Sequence, residues 1–536
     1  MKRQRLVSAK MNEPLHHPSV DAEAKSLALS TTLRPTVAIV GGGFAGLMAG
    51  YALRRHCQVT VFEARSRVGG RVWSKTKSSG IVEAGGELIG YNHPLWLNLA
   101  KDFQLGLSVN TSDDNFDALA LKAPLYLGGK EPSEKELKQV YRQMQTAINR
   151  ISKKATKVDP YQPWLAKNAQ ELDEMSLSAW FDELNCSDLT RLALEQQFSN
   201  DAGVPTSRQS FLANLAVVAG GRLGDQLDAF FIQSEAMRCS EGNGALADRL
   251  AAEIEKAAGE VRRCTPVDSI LINEEDVTLE VRTGRSAKDP DQACIFTELD
   301  KKQTITADYT VLAIPPSLWP AAKGRKITVM PKLPRASYVT MGTVVKYLSP
   351  LRQRFWIREG LAPTSTSNQF GVTWESTDNQ IAPPGRDVGL SLFAGGAVAQ
   401  TALRKWRHGG QREIDDFYAA KIGAIYDGYV SNRSEHPMEF MAWPDDPWTG
   451  AGYSCPAPGE VCRAGPLLHE PFHERLFFAG EHTCFAYFGY MEGALQSGRR
   501  AACSILHAVG RQQKQAGTSA RQVRGSASKR TRAARR

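Results

Sequence analysis

The sequence predicts a mixed α/β protein, with one domain assembled from segments at both ends of the chain and a second domain inserted between them. Three observations predict it. A strand, glycine turn, helix and strand open the patterned part of the chain; a glycine-rich segment after an apolar strand closes it; helical spacing and further strands lie between. The opening unit starts with Val37–Val40, a short apolar run that ends in Gly41, followed by helical spacing over Leu47–Arg55 and a second strand, Val59–Glu63. Gly41-Gly42-Gly43-Phe44-Ala45-Gly46 fits GxGxxG at that turn. The first glycine permits the turn, the second lets backbone approach a pyrophosphate, and the third lets helix pack on strand. Phe44 and Ala45 then sit where the helix N-terminus points its N–H groups at phosphate. Glu63, at the end of the second strand, is placed to accept hydrogen bonds from a ribose. Together these make a Rossmann-like dinucleotide-binding half.

The remaining elements follow in order. Asp114–Gln197 reads as mostly helical and Ala245–Ala258 as a helix, while Val261–Ile272, Val277–Thr283 and Thr304–Ile314 read as strands. Val339–Tyr347 and Val388–Phe393 predict a second sheet, Gln411–Val430 a helix, Leu476–Ala479 a strand and Gly489–Val509 the last long helix. The expected division assigns 34–110, 240–316 and 435–510 to the cofactor domain. It assigns 111–239 and 317–434 to the substrate domain.

Composition excludes several classes. The chain is 42% hydrophobic and 23% charged, an ordinary globular balance. Its net charge of +9 equals the nine Lys and Arg of Arg511–Arg536, so everything before that tail is formally neutral. The tail and residues 1–33 lack large apolar patterning and are expected to be disordered extensions, with no specific nucleic-acid role. No apolar run is long enough for a membrane span or follows the N-terminal basic residues as a secretory signal would. Nine cysteines show no CxxC or zinc-like spacing, which predicts incidental thiols, Cys455 and Cys462 among them, no metal site and a cytoplasmic protein.

Glu63-Ala64-Arg65-Ser66-Arg67-Val68-Gly69-Gly70-Arg71 gathers three arginines and a glycine pair, the donors and close backbone that a phosphate-rich ligand needs. This ExxxRxGGR segment, after such a fingerprint, resembles the flavin amine oxidase superfamily of monoamine, polyamine and L-amino acid oxidases. Gly85-Gly86-Glu87-Leu88 matches the family's next turn, which runs beside the flavin. Phe478-Ala479-Gly480-Glu481 and Gly489-Tyr490-Met491-Glu492-Gly493-Ala494 resemble its closing motifs. The resemblance implies FAD, with Val267 at the adenine, Gly480 and Glu481 at the pyrophosphate and ribityl chain, and the helix near Tyr490 and Met491 aimed at the pyrimidine ring. Positive potential there favours the anionic reduced flavin.

The same resemblance supplies catalytic candidates. Lys346, in Met341–Lys346, matches the lysine that holds a water at flavin N5. Trp443-Pro444-Asp445-Asp446-Pro447-Trp448-Thr449-Gly450-Ala451-Gly452-Tyr453 is similar to the monoamine oxidase segment that ends in a flavin-linked cysteine and a cage tyrosine. Gly452 takes the cysteine's place, which implies non-covalent FAD; Tyr453 and Tyr490 match the tyrosines that sandwich the substrate amine. The implied reaction is hydride transfer from an amine or L-amino acid to flavin N5, giving an imine that hydrolyses, with O2 reoxidising the flavin to release H2O2. Neutralising an alkylammonium of pKa near 10.4 at pH 7 costs roughly 4.6 kcal/mol, which burial in an apolar pocket can supply without a carboxylate base. The usual carboxylate-binding arginine after the glycine turn is missing, with Arg208 or Arg222 as replacements, so simple amines lead. A desaturase or protoporphyrinogen-type oxidase on the same scaffold is the catalytic alternative; a flavin-stabilised interaction protein is the other. A homodimer is compatible with either.

Overall fold

Five strands make a parallel sheet in the order Leu476–Phe478, Tyr309–Leu312, β1 (Thr36–Val40), β2 (Gln58–Phe62) and Glu260–Arg262. Four contiguous apolar residues of β1 are buried because helices cover the sheet, as a parallel sheet requires. Helix α1 (Phe44–Leu53) is buried at all but one position. It packs with the helix Gly244–Lys256 and the final helix, whose Leu495, Ile505 and Leu506 share its core. The fold is described, in this computed structural model, for residues 34–285, 294–297, 302–319, 327–380 and 385–533, without the side chains of 113–114 and 514–533. The expectation of disorder for 1–33 lies outside these residues.

The second large sheet has six strands, in the order Glu439–Met441, Val344–Leu351, Val388–Gly395, Gly371–Glu375, Ser365–Ser367 and Leu125–Tyr126. Lys346 sits on its second strand, paired with Phe393 on one side and Met441 on the other. A helical layer adjoins it, led by Glu134–Ala155, which starts with a capping box: Ser133 Oγ accepts from Glu136 N–H, and the Glu136 carboxylate accepts from Ser133 N–H.

Several boundaries differ from the sequence reading. Val261–Ile272 is two strands in two sheets, because the backbone turns at Cys264 (φ 49°) and Pro266 follows without an N–H. Thr304–Ile314 also divides: Lys302–Ala307 pairs antiparallel with Val277–Arg282 in a mixed four-stranded sheet, and Tyr309–Leu312 joins the parallel one. Between them Asp308 takes hydrogen bonds from Thr36 N–H and Oγ1, both at 2.7 Å, tying the corner to β1. An uninterrupted β-rich run hides such a switch, since both halves have the same local preference. The helix expected over Gln411–Val430 does start after a break at Gly410 (φ 62°, ψ −150°), but it ends at Gly423 and is preceded by a helical stretch from Gly396 that the sequence reading left out.

Two further expectations are corrected. The final helix runs Met491–Ala533, through most of the basic segment expected to be irregular. Its Ala, Gln, Lys and Arg are good helix formers, and a helix already docked avoids the cost of nucleation. Cys264 and Cys294 form a disulfide rather than remaining incidental thiols. Thirty residues separate them, beyond any spacing that signals a pair in the sequence. Cys455 and Cys462 are free, as expected. Among the described residues no helix is long and apolar enough to cross a membrane.

Candidate active site

A cavity of about 960 Å³ runs from the ends of β1 and β2 to the six-stranded sheet. At its first end, a Cβ at position 46 would lie 1.9 Å from the Gly41 carbonyl oxygen, so the third fingerprint glycine brings α1 onto β1. A Cβ on Gly43 would meet nothing closer than 3.9 Å: that glycine leaves open space in front of the helix N-terminus, which has no side-chain cap. Such a cradle of uncapped N–H groups fits a dinucleotide pyrophosphate. Gly41, Phe44, Ala45, Ala64, Gly70 and Val267 also line the cavity. Val267 reaches it because Thr265 N–H donates to the Glu63 carbonyl at 2.7 Å.

The charged residues of this end are mostly bonded to one another. Glu63 accepts from Gly42 N–H (2.9 Å) and Arg65 N–H (2.8 Å), which fixes its carboxylate at the strand end. Arg65 donates to Asp446 (2.5 Å) and Thr449 (2.8 Å) in the Trp443–Tyr453 segment, and Arg67 turns onto the carbonyls of Val68, Gly70 and Val72. Arg71 bridges the chain ends, donating to the Gly452 carbonyl (2.7 Å) and to Glu481 (2.8 Å). Glu481 further accepts from Ser454 Oγ (2.6 Å) and Gly489 N–H (2.7 Å). Burial pushes its carboxyl up, but Arg71, His482 and these bonds outweigh it and hold it below its ordinary value. Glu481 is therefore a clasp between loops as well as a wall of the cavity, while Gly480 N–H is held by Ser497 Oγ at 2.9 Å. Glu492, a residue of the closing motif whose role the sequence left open, accepts from Leu95 and Trp96 N–H, both at 2.9 Å. It thereby caps the helix Pro94–Phe103.

Deeper in, Gly86, Glu87 and Leu88 line the cavity opposite Met491; a Cβ on Gly86 would come within 3.3 Å of Met491 Cγ. Lys346 Nζ donates to Glu87 (2.5 Å) and to the carbonyls of Glu83 (2.9 Å) and Gly85 (3.1 Å). This settles its direction: the lysine points inward from its strand and holds the glycine turn. Glu87 also pairs with Arg238 at 2.9 Å and accepts from Trp374 Nε1 at 2.9 Å. Burial raises its carboxyl, yet Lys346 and Arg238 outweigh it and bring it below its ordinary value. Glu83, by contrast, is pushed up to about 7 by burial. Two cations thus share one firmly ionised carboxylate, leaving positive potential beside the turn. Trp443 is buried and donates to the Ala84 carbonyl at 3.1 Å, bracing the same turn from the far side.

Tyr453 and Tyr490 both face the cavity, close together: a Cβ on Gly489 would lie 3.1 Å from Tyr453 Cδ2. Tyr453 Oη donates to the Asp201 carbonyl at 2.5 Å, and the Tyr490 ring packs edge-on against His93 and Phe230. Burial, then the Asp201 and Glu235 carboxyls, push both phenols well up, so both stay neutral. Sequence reasoning missed those two carboxyls. The site was expected to lack an acidic group near the cage; Asp201 and Glu235 line it. Burial, then Glu235, pushes Asp201 up to about 8. Neither lies in a motif, and only the fold brings them together. Arg208 and Arg222, the proposed carboxylate holders, are exposed and line none of the cavity; Arg238, which does, is paired with Glu87.

This fold and cleft define a dinucleotide-cofactor oxidoreductase. The model of the flavin-containing amine oxidoreductases matches residues 44–506. An amine oxidase [flavin-containing] of Oncorhynchus mykiss is 24% identical over 493 residues, spanning 89% of this chain and 86% of that one. The human amine oxidase [flavin-containing] B is 25% identical over 489 residues, with the same coverage. Among solved structures, putrescine oxidase bound to putrescine superimposes with a TM-score of 0.71 at 21% identity, covering 89% of this chain and 99% of that one. Cyclohexylamine oxidase from Brevibacterium oxydans gives 0.70 at 20%, covering 90% and 100%. The chain belongs to the flavin-containing amine oxidoreductase family. Its cofactor is FAD.

Proposed function

We propose that this protein oxidises the C–N bond of a small amine. Bound FAD supplies a two-electron acceptor for the hydride that leaves the carbon beside nitrogen, and O2 takes those electrons on to H2O2. The observation that carries this reading is that two neutral tyrosines, Tyr453 and Tyr490, and the buried Lys346–Glu87 pair line one cavity. The rings position an amine and exclude water, which favours the neutral base that can lose hydride. Lys346, held by three acceptors at the glycine turn, is oriented to fix a water there. The parallel-sheet half binds the cofactor, and the six-stranded sheet with its helices forms the substrate half.

Two features support simple amines over amino acids and non-covalent over covalent flavin. Each arginine on the cavity wall is bonded to an acid: Arg65 to Asp446, Arg71 to Glu481 and Arg238 to Glu87. A side chain at Gly452 would meet Val344 Cγ2 at 2.5 Å, leaving no room for a tethering cysteine. The test is peroxide release and anaerobic bleaching of the yellow protein across primary amines, polyamines and L-amino acids. Bleaching by amines with stoichiometric peroxide in air is expected. Bleaching only by amino acids would overturn the substrate class.

A further inference from the structure

Nearly every acid on the cavity wall has a protein partner. Glu87 is bound by Lys346 and Arg238, Glu375 by Arg354 at 2.6 Å, and Asp378 by the N–H and hydroxyl of Thr111. Asp201 and Glu235 differ. Neither has an ion pair among the described residues; Asp201 has only a side-chain hydrogen bond from Asn200, and each presents accessible surface to the cavity. They are held there from separate elements, Asp201 on the helix Asp188–Ala202 and Glu235 just before the strand Met237–Cys239. Tyr453 ties the first to the cage through its hydrogen bond to the Asp201 carbonyl. Two carboxyls placed together without a counter-ion resist ionising together: burial, then Glu235, pushes Asp201 up to about 8. A cation brought by a ligand removes it.

From this, and resting on the amine-oxidising reading above, we propose that the substrate is a diamine or longer polyamine, its second ammonium held by Asp201 and Glu235 while its other nitrogen lies between Tyr453 and Tyr490. A single ammonium cannot serve both places. One that remained paired with the carboxyls would stay protonated and keep its hydride. A second cationic group separates the tasks, because the distal nitrogen anchors in its charged form and the proximal one is freed to enter the cage neutral. The chamber discriminates by charge at one end and by desolvation at the other.

The test measures anaerobic flavin reduction, as the ratio of its limiting rate to the dissociation constant. Linear monoamines and α,ω-diamines of equal chain length are compared on wild type, Asp201→Asn, Glu235→Gln and the double variant. The FAD absorbance of each variant reports folding. Wild type is expected to favour the diamine by about 100-fold, and the double variant to lose most of that preference while remaining yellow. Bleaching by monoamines and diamines alike in wild type would overturn the proposal and leave the amine-oxidase reading standing. So would an equal loss for both amines in the double variant, which would make the carboxyls general proton acceptors. If no amine bleaches wild type, the functional reading fails and the proposal with it.

Discussion

The two ends of the cavity handle charge in opposite ways. At the nucleotide end, Glu63, Arg65, Arg71 and Glu481 are locked into hydrogen bonds with backbone or with one another. At the end proposed to take substrate, Asp201 and Glu235 have no ion pair among the described residues and line the wall beside the neutral Tyr453 and Tyr490. The first end suits one permanent occupant, and its charges are satisfied in advance by bonds that tie the loops together. On the proposed reading the second receives a ligand that comes and goes, and keeps two carboxyls without a cationic partner for it. The contrast shows where stability and specificity are separated in this molecule.

The largest effect should come from breaking the rigid end. Gly46→Val forces a side chain into the Gly41 carbonyl, where even a Cβ would lie 1.9 Å away, so α1 cannot seat on β1. Purified variant protein is expected to be colourless; a yellow protein with normal FAD content would show that the glycine contact is dispensable. Next comes the junction of the two ends. Lys346→Met removes one of two cations from Glu87 and the group proposed to orient water at the glycine turn. Turnover should fall by about 10²-fold with FAD retained, the scale of a lost proton-handling group. An unchanged rate would assign Lys346 to packing alone.

The third prediction concerns pH. The neutral-amine step requires the flavin-reduction rate of wild type to rise with pH as the bound amine loses its proton and then to level off. A rate flat between roughly pH 6 and 10 would contradict it. A smaller effect separates stability from catalysis. Glu83 is raised by burial to about 7, so its neutral form is the one the fold tolerates. The unfolded chain releases this proton near its ordinary value while the folded chain keeps it. Stability should therefore fall as pH rises from about 4.5 to about 7, and change no further above that; the loss is on the order of 3 kcal/mol. Glu83→Gln retains an acceptor for Asn243 N–H and should flatten that part of the Tm profile. A wild-type profile already flat there would show the carboxylate to be ionised.

Much of the first end was legible in the sequence, and little of the second. GxGxxG, the acid at the end of β2 and the glycine turns each satisfy a local backbone requirement, so residue type and spacing carry the information. Tyr490 and Lys346 were marked only because the segments around them resemble motifs of the family. Asp201 and Glu235 were not, since each is a single carboxyl at the edge of an ordinary helix or strand. Their meaning arises only from a neighbour 34 positions away. The same limit explains Cys264–Cys294 and the corner at Asp308, where distant partners decide what local preference cannot. Arg65 and Arg71 show a related limit: the sequence marked them as phosphate donors and both line the cavity, but their bonds to Asp446 and Glu481 of the other chain end could not be read from residue order.

The central claim is that this cavity passes electrons from an amine to bound FAD. Mixing the yellow protein anaerobically with an excess of a linear diamine tests it most directly. The account predicts full loss of the oxidised-flavin absorbance, and its return in air once the amine is spent, with one H2O2 formed per C–N bond oxidised. A flavin that stays oxidised in every amine offered would contradict it.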